Sequence, residues 1–300
     1  MNTDVAVIAP GRSDRALAPL AAEIAALFAA SERRFSRFDP DSELSRLNRA
    51  TAPMAVSREL FLAVRRARSY AIATHGLFDP GVGAALIASG YDRSFAPGAL
   101  DRPTAGAAAP ASVLQLELDA ATRTVVRPPG VTIDLGGMAK GLTVDRAAAL
   151  GTGAFAVDAG GDAMLRGDGP DGDGWIVDVE DPRDPARVIA SLRVRDRAVA
   201  TSAPNRRWWR VGGAIAHHLI DPRTGRAAAS DLLQATVVAP TAELADVLAK
   251  TAFLLGARAA TRFLDGRVGL GAVLVDRGGG VALVGEVELV TDVGCEVADA

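Results

Sequence analysis

A mixed α+β fold in one large domain is what the 300-residue sequence predicts, and three observations carry that expectation. Helical periodicity crowds into the first third of the chain and returns once near its end. Short alternating strand patterns occupy most of the rest. The two kinds of segment follow one another without the regular β-α-β alternation of a parallel sheet. Hydrophobic residues make up 49% and charged residues 23%, which is enough apolar surface for a large core.

Taken in order, Asp4 to Ile8 reads as a strand. Leu17, Leu20, Ile24, Leu27 and Phe28 recur at helical spacing and form one apolar stripe. Phe35 to Leu44, ending near Asn48, reads as a polar, turn-rich loop with two aromatics. A second helix begins at the Ser57 cap, carries Leu60, Phe61, Val64, Ala67 and Ala71, and stops at Gly76. His75 sits beside that stop, where a cation complements the helix dipole. The Ala/Pro/Gly-rich stretch from about 94 to 112 reads as a loop insertion.

Val113 to Leu118 and Thr122 to Arg127 form an expected hairpin, and Val131, Ile133 and Leu135 share one face of an expected strand. A helix is expected after it, running to Leu150. Trp175 to Val179, Ala190 to Val194 and Ala214 to Ile220 follow as short strands. Thr241 caps a third long helix bearing Leu244, Val247, Leu248, Thr251 and Leu255, with Gly256 as its stop. Ala272 to Asp276 then turns through Gly278, Gly279 and Gly280 into a last strand, Val281 to Val290.

Several function classes are disfavoured at once. A net charge of -3 argues against a protein that tracks nucleic-acid phosphates. One cysteine, Cys295, excludes an internal disulfide framework and a cysteine-based zinc cluster. The opening residues lack a basic, apolar secretory signal, and no apolar run is long enough to cross a bilayer. The expectation is a cytoplasmic protein without membrane insertion. Only two lysines are present, Lys140 and Lys250, every other basic residue being arginine or histidine.

Four segments offer chemistry. Asp134-Leu135-Gly136-Gly137-Met138-Ala139-Lys140-Gly141 runs from strand to helix. It reads either as an anion site of open backbone amides with a lysine, or as a glycine turn with a solvated lysine. It is not a Walker A loop, because the spacing differs and no Ser or Thr follows Lys140. Gly167 to Gly172 formally fits G-x-G-x-x-G, but its two aspartates and the strand that follows indicate an acidic hairpin turn. His217-His218 closes a strand before Asp221-Pro222, and adjacent strand residues face opposite sides, so only one of the pair serves any single site. Asp246 and Lys250 stand four apart, away from the apolar stripe. They read as an ordinary ion pair, or with Asp246 as a hard-oxygen ligand for Mg²⁺.

In order and spacing these stretches resemble the ApbE family of FAD:protein FMN transferases over nearly the full length. The matching blocks are Phe35 to Asn48, Gly76 to Pro80, Asp134 to Asp145, Gly160-Gly161-Asp162, Ala200-Thr201-Ser202, His218 to Gly225, and Ala245-Asp246 with Gly256. The resemblance implies a single ApbE-like domain across 1–300. It implies transfer of FMN from FAD to a threonine hydroxyl of an acceptor flavoprotein, with AMP released. It further implies His218 as the base, and FAD contacts from Phe38, Leu77, Phe78, Asp79, Asp134, Lys140 and Leu219. Mg²⁺ would be held by Asp246 and the Gly137 carbonyl.

The chain also departs from the family pattern. Lys250 stands where a metal-binding threonine is usual, Ala203-Pro204 replaces a glycine, and Gly81 follows Asp79-Pro80 where threonine is common. Met1-Asn2-Thr3 stands for an opening Met-Gly-Thr. Two other readings therefore stay beside the transferase, a non-catalytic FAD-binding protein and a FAD pyrophosphatase giving FMN and AMP.

Overall fold

The computed structural model describes residues 3–94 and 108–290. Most of the expected 94–112 loop, the Met1-Asn2 pair and Cys295 lie outside those residues. In chain order the elements are β1 (Val5–Ile8), α1 (Asp14–Phe35), α2 (Glu43–Arg49), β2 (Met54–Ala55), α3 (Arg58–Ala73), α4 (Gly83–Ala88), β3 (Glu117–Asp119) and β4 (Thr124–Val126). They continue with α5 (Ala139–Ala148), β5 (Phe155–Ala159), β6 (Asp162–Arg166), β7 (Trp175–Asp181), β8 (Asp184–Val194), β9 (Arg197–Ser202), β10 (Trp208–Val211) and β11 (Ala214–His217). Last come β12 (Ile220–Asp221), β13 (Arg226–Ala227), β14 (Leu232–Ala239), α6 (Ala242–Leu255), α7 (Ala257–Leu264), β15 (Gly271–Asp276) and β16 (Val281–Gly285). The α+β expectation holds.

Two compact units divide this chain. One draws on Phe28–Ala139 and Pro204–Ala229, the other on Thr3–Leu27, Lys140–Ala203 and Ser230–Ala300. The division falls inside α1 and one residue into α5.

The second unit is built on a seven-stranded antiparallel sheet in the order β1-β5-β6-β9-β14-β15-β16. Val199, Val238 and Val273 point to one face, where they meet Trp175, Val179, Leu192 and Val194 of the β7–β8 ribbon. Residues between them point the other way, as strand geometry requires. α6 lies across β9 and β14. Its Thr241 side chain accepts from the Leu244 amide, a local cap read correctly from sequence.

A second cap arrives from elsewhere in the unit. The Asp145 carboxylate of α5 accepts from the Ala242 and Glu243 amides at 2.7 and 3.0 Å, so one acid satisfies two orphan donors at the start of α6. Gly141 brings α5 this close. A Cβ there would run into the Ala242 main chain and sit 2.7 Å from Glu243 Cα. Gly141→Ala is therefore expected to lower stability by about 1–3 kcal/mol, read from chemical denaturation midpoints.

Strands β5, β6, β9, β10 and β14 are additions to the sequence reading. Several of them are only four to six residues long, which leaves little room for a period of two. The G-x-G-x-x-G run proves to be a turn, as expected, but not a hairpin. It links β6, paired with β5 and β9, to β7, paired with β8. Gly167, Gly169 and Gly172 all take positive φ.

In the first unit α3 matches its expected cap, with Ser57 accepting from the Leu60 amide, and β3 and β4 form the expected hairpin. Three expectations are corrected. Residues 43–49 are helical, because the Ser42 side chain caps the Ser45 amide and Leu44 and Leu47 bury a common side. Val113–Gln115 is a 3₁₀ turn, bent where Asp79 receives the Val113 amide and the Ser112 hydroxyl.

Finally, residues 131–135 make no sheet ladder. Val131, Ile133 and Leu135 are buried on one side, as expected, but the backbone is met individually. Asn48 accepts from the Ile133 amide and donates to its carbonyl, both at 2.8 Å. Asp134 N donates to Pro80 O, and Gly83 N to Thr132 O. Side chains and single turns thus replace the neighbouring strand.

Candidate functional site

The first unit holds Phe38, Leu77, Phe78, Asp79, Asp134, Gly137, His218 and Leu219; the second holds Lys140 and Asp246.

In the first unit the histidines separate cleanly. Strand β11 ends at His217, three residues short of the expected Ala214 to Ile220, and Ile220 belongs to β12. The partner of β11, β10, begins only at Trp208, after the Pro204–Arg206 turn. His217 is 8% exposed, its Nε2 3.2 Å from the Ala228 carbonyl, and its Nδ1 accepts from the Leu219 amide at 3.3 Å. A carbonyl can only accept, so Nε2 carries the proton and the ring is a neutral structural link. His218 has a different partner. Its Nδ1 lies 3.3 Å from the Arg207 carbonyl, which makes Nδ1 a donor, so that in the neutral ring Nε2 carries the lone pair. That is the tautomer of a general base.

The same unit holds an aromatic cluster that the sequence reading missed except for Phe38. Tyr91 stacks on Trp209 with centroids 5.2 Å apart, and Phe38 meets Tyr91 edge-on at 5.3 Å. Trp209 is fully buried and its indole N–H donates to Ser89 O at 2.6 Å. Val82, Ala85, Leu86 and Ile220 complete this core. Burial pushes the Tyr91 phenol above its ordinary value, with the Arg207 cation opposing. A sequence signal existed: Tyr and Trp together number five in the chain. What joined them was not visible along it.

Arg37, one residue before Phe38, forms an ion pair with Asp134. The other Asp134 oxygen accepts from the Gly136 amide at 2.7 Å. One of the two glycine amides expected to face an anion is thus spent on the chain itself. Leu77, Phe78 and Asp79 are buried: Phe78 packs edge-on against Tyr70, and Asp79 receives the Gly81 and Val113 amides and Ser112.

In the second unit Lys140 is not a solvated lysine. Its ammonium pairs with Asp162, whose side chain is 4% exposed, and donates to Ala159 O at 3.1 Å. Burial pushes the Asp162 carboxyl up, and Lys140 pulls it back. Asp162 follows the Gly160-Gly161 turn between β5 and β6, so that glycine pair serves to aim a carboxylate at Lys140.

On α6 the expected placement of Lys250 away from the apolar stripe is corrected. Lys250 is 9% exposed and Glu243 fully buried, because nearly the whole circumference of α6 is covered. Asp246 remains half-buried. Among the described residues no three His, Cys, Asp or Glu side chains gather as a metal cluster. No helix among them is long and apolar enough to cross a membrane.

The ApbE family model matches residues 1–284. This chain belongs to the ApbE family. A FAD:protein FMN transferase of Treponema pallidum is 32% identical over 262 residues, 78% of this chain and 70% of that one. One of Salmonella typhimurium is 28% identical over 292 residues, 93% and 83%. The crystal structure of an ApbE protein from Thermotoga maritima superposes with a TM-score of 0.79 at 26% identity, covering 94% of each chain. The ApbE fold expected from the sequence is thereby established, across both units.

Proposed function

We propose that the chain is a FAD:protein FMN transferase whose acceptor is a threonine hydroxyl of another protein. The match to proteins of that name over most of the chain carries the reading. His218 supports it by offering a base of the right tautomer. In the reaction the threonine Oγ attacks the FMN-side phosphorus of FAD and forms the new P–O bond. The bond from that phosphorus to the bridging oxygen breaks, and AMP departs with the oxygen. His218 Nε2 takes the hydroxyl proton.

Phe38 offers a ring face to the flavin. Leu77, Phe78 and Asp79, whose side chains are buried, contribute through the main chain, as does Leu219. Asp134 acts through its pair with Arg37. Lys140, held by Asp162, is the cation for the diphosphate.

Mg²⁺ suits the donor chemistry of Asp246 with a Gly137 carbonyl, since this ion commonly takes one carboxylate and completes its shell with phosphates and water. When bound it neutralises diphosphate charge. Lys250, one helical turn from Asp246, places a like charge beside the ion. Lys250→Thr is expected to tighten Mg²⁺ binding several-fold by calorimetry. Unchanged affinity would show that the ammonium does not share the carboxylate's field.

The overall test is to combine the protein, FAD, Mg²⁺ and a threonine-bearing acceptor domain, and to weigh the acceptor. A mass gain of one FMN with AMP release is expected. AMP released at the same rate without acceptor would indicate a pyrophosphatase; bound FAD with no AMP would indicate a carrier.

A further inference from the structure

We propose that Arg37 is a specificity-determining contact for the flavin ring, donating a hydrogen bond from Nη2 to a carbonyl of the isoalloxazine. This rests on the flavin-transferase reading and adds to it a residue and an atom.

The Arg37 side chain is only 6% exposed. Its Nε is spent on Asp134, but Nη2 is buried and has no hydrogen-bond partner. A buried charged donor left unmade is costly, and native folds rarely keep one without a use. Its surroundings define that use. The guanidinium carbon lies 4.1 Å from the Phe38 ring centre and 4.7 Å from that of Tyr91, and Tyr91 is stacked in turn on Trp209. The open donor therefore belongs to a group stacked on aromatic faces, where a planar ring is the natural neighbour.

The charge balance narrows the ligand further. Asp134 already neutralises Arg37, so the pair presents a directed donor without net charge. Such a donor matches a neutral carbonyl. Adenine has ring nitrogens and an amino group but no carbonyl. The isoalloxazine has two carbonyls, both on its pyrimidine ring. A lysine keeps the charge opposite Asp134 but lacks the planar fork that serves two acceptors at once.

The test is binding of FAD and of ADP, with flavin fluorescence for the first and calorimetry for the second. Arg37→Met and the charge-keeping Arg37→Lys are each expected to weaken FAD binding about tenfold, with ADP binding unchanged. FAD analogues carrying sulfur at one or the other flavin carbonyl provide the atom-level check. The wild type should bind one of them several-fold more weakly than FAD, and both variants should lose that discrimination. Equal losses for FAD and ADP overturn the proposal, as does thio-discrimination that survives Arg37→Lys. A wild type that binds no FAD overturns the flavin reading itself, whereas FAD binding indifferent to Arg37 overturns this assignment alone.

Discussion

Replacing His218 with alanine is expected to lower FMN transfer by about 10²–10⁴-fold while FAD remains bound. The neighbouring replacement, His217→Ala, should do something else. His217 links the Ala228 carbonyl to the Leu219 amide from a buried position, so its loss removes two hydrogen bonds and leaves unpaired groups inside. About 1–3 kcal/mol of stability should go with it. Transfer per folded molecule should fall far less than in His218→Ala. Single-turnover transfer with saturating FAD, beside a denaturant titration of each variant, separates the two roles. If the two variants exchanged these phenotypes, the tautomer argument would be wrong.

Lys140→Met should destabilise the protein by about 3–5 kcal/mol near neutral pH, because it leaves the Asp162 carboxylate buried without its counter-charge. The sign of the pH effect follows from the raised carboxyl of Asp162. The folded state holds that proton more tightly than the unfolded chain. The stability it lends is complete below the unfolded carboxyl value of about 4 and is lost as pH rises through the higher folded value.

Without Lys140 the opposing cation is gone and the window extends upward. The variant should therefore lose stability more steeply than the wild type as pH rises above the unfolded carboxyl value. Lys140→Met with Asp162→Asn should recover much of the loss and flatten the profile. Denaturation midpoints at several pH values measure both. A variant with wild-type pH dependence would show that the pair carries little charge coupling. Transfer measured in the stable double variant then isolates what Lys140 does for the diphosphate.

Local signals were legible wherever a residue acts on its own turn. The caps Ser57 and Thr241 and the stop glycines were all read correctly, since each depends on neighbours within four residues. Helix α2 was missed because a seven-residue segment offers barely two turns of periodicity. The 131–135 strand was misassigned because its burial does alternate, while its hydrogen bonds go to Asn48, 85 residues away, and to the turns at Pro80 and Gly83.

What the amino-acid order determined by itself is the inventory: the α+β class, the family, the candidate histidine, lysine and carboxylates, and the caps that start their helices. Only the tertiary structure decided their working states. It tied Lys140 to Asp162, gave Asp145 to the start of α6, made Nδ1 of His218 a donor, and brought Tyr91, itself stacked on Trp209, against Arg37. Propensity and periodicity act over a few residues. A buried charge or a tautomer is set by whichever group the fold brings within hydrogen-bond reach, and no local pattern encodes that partner.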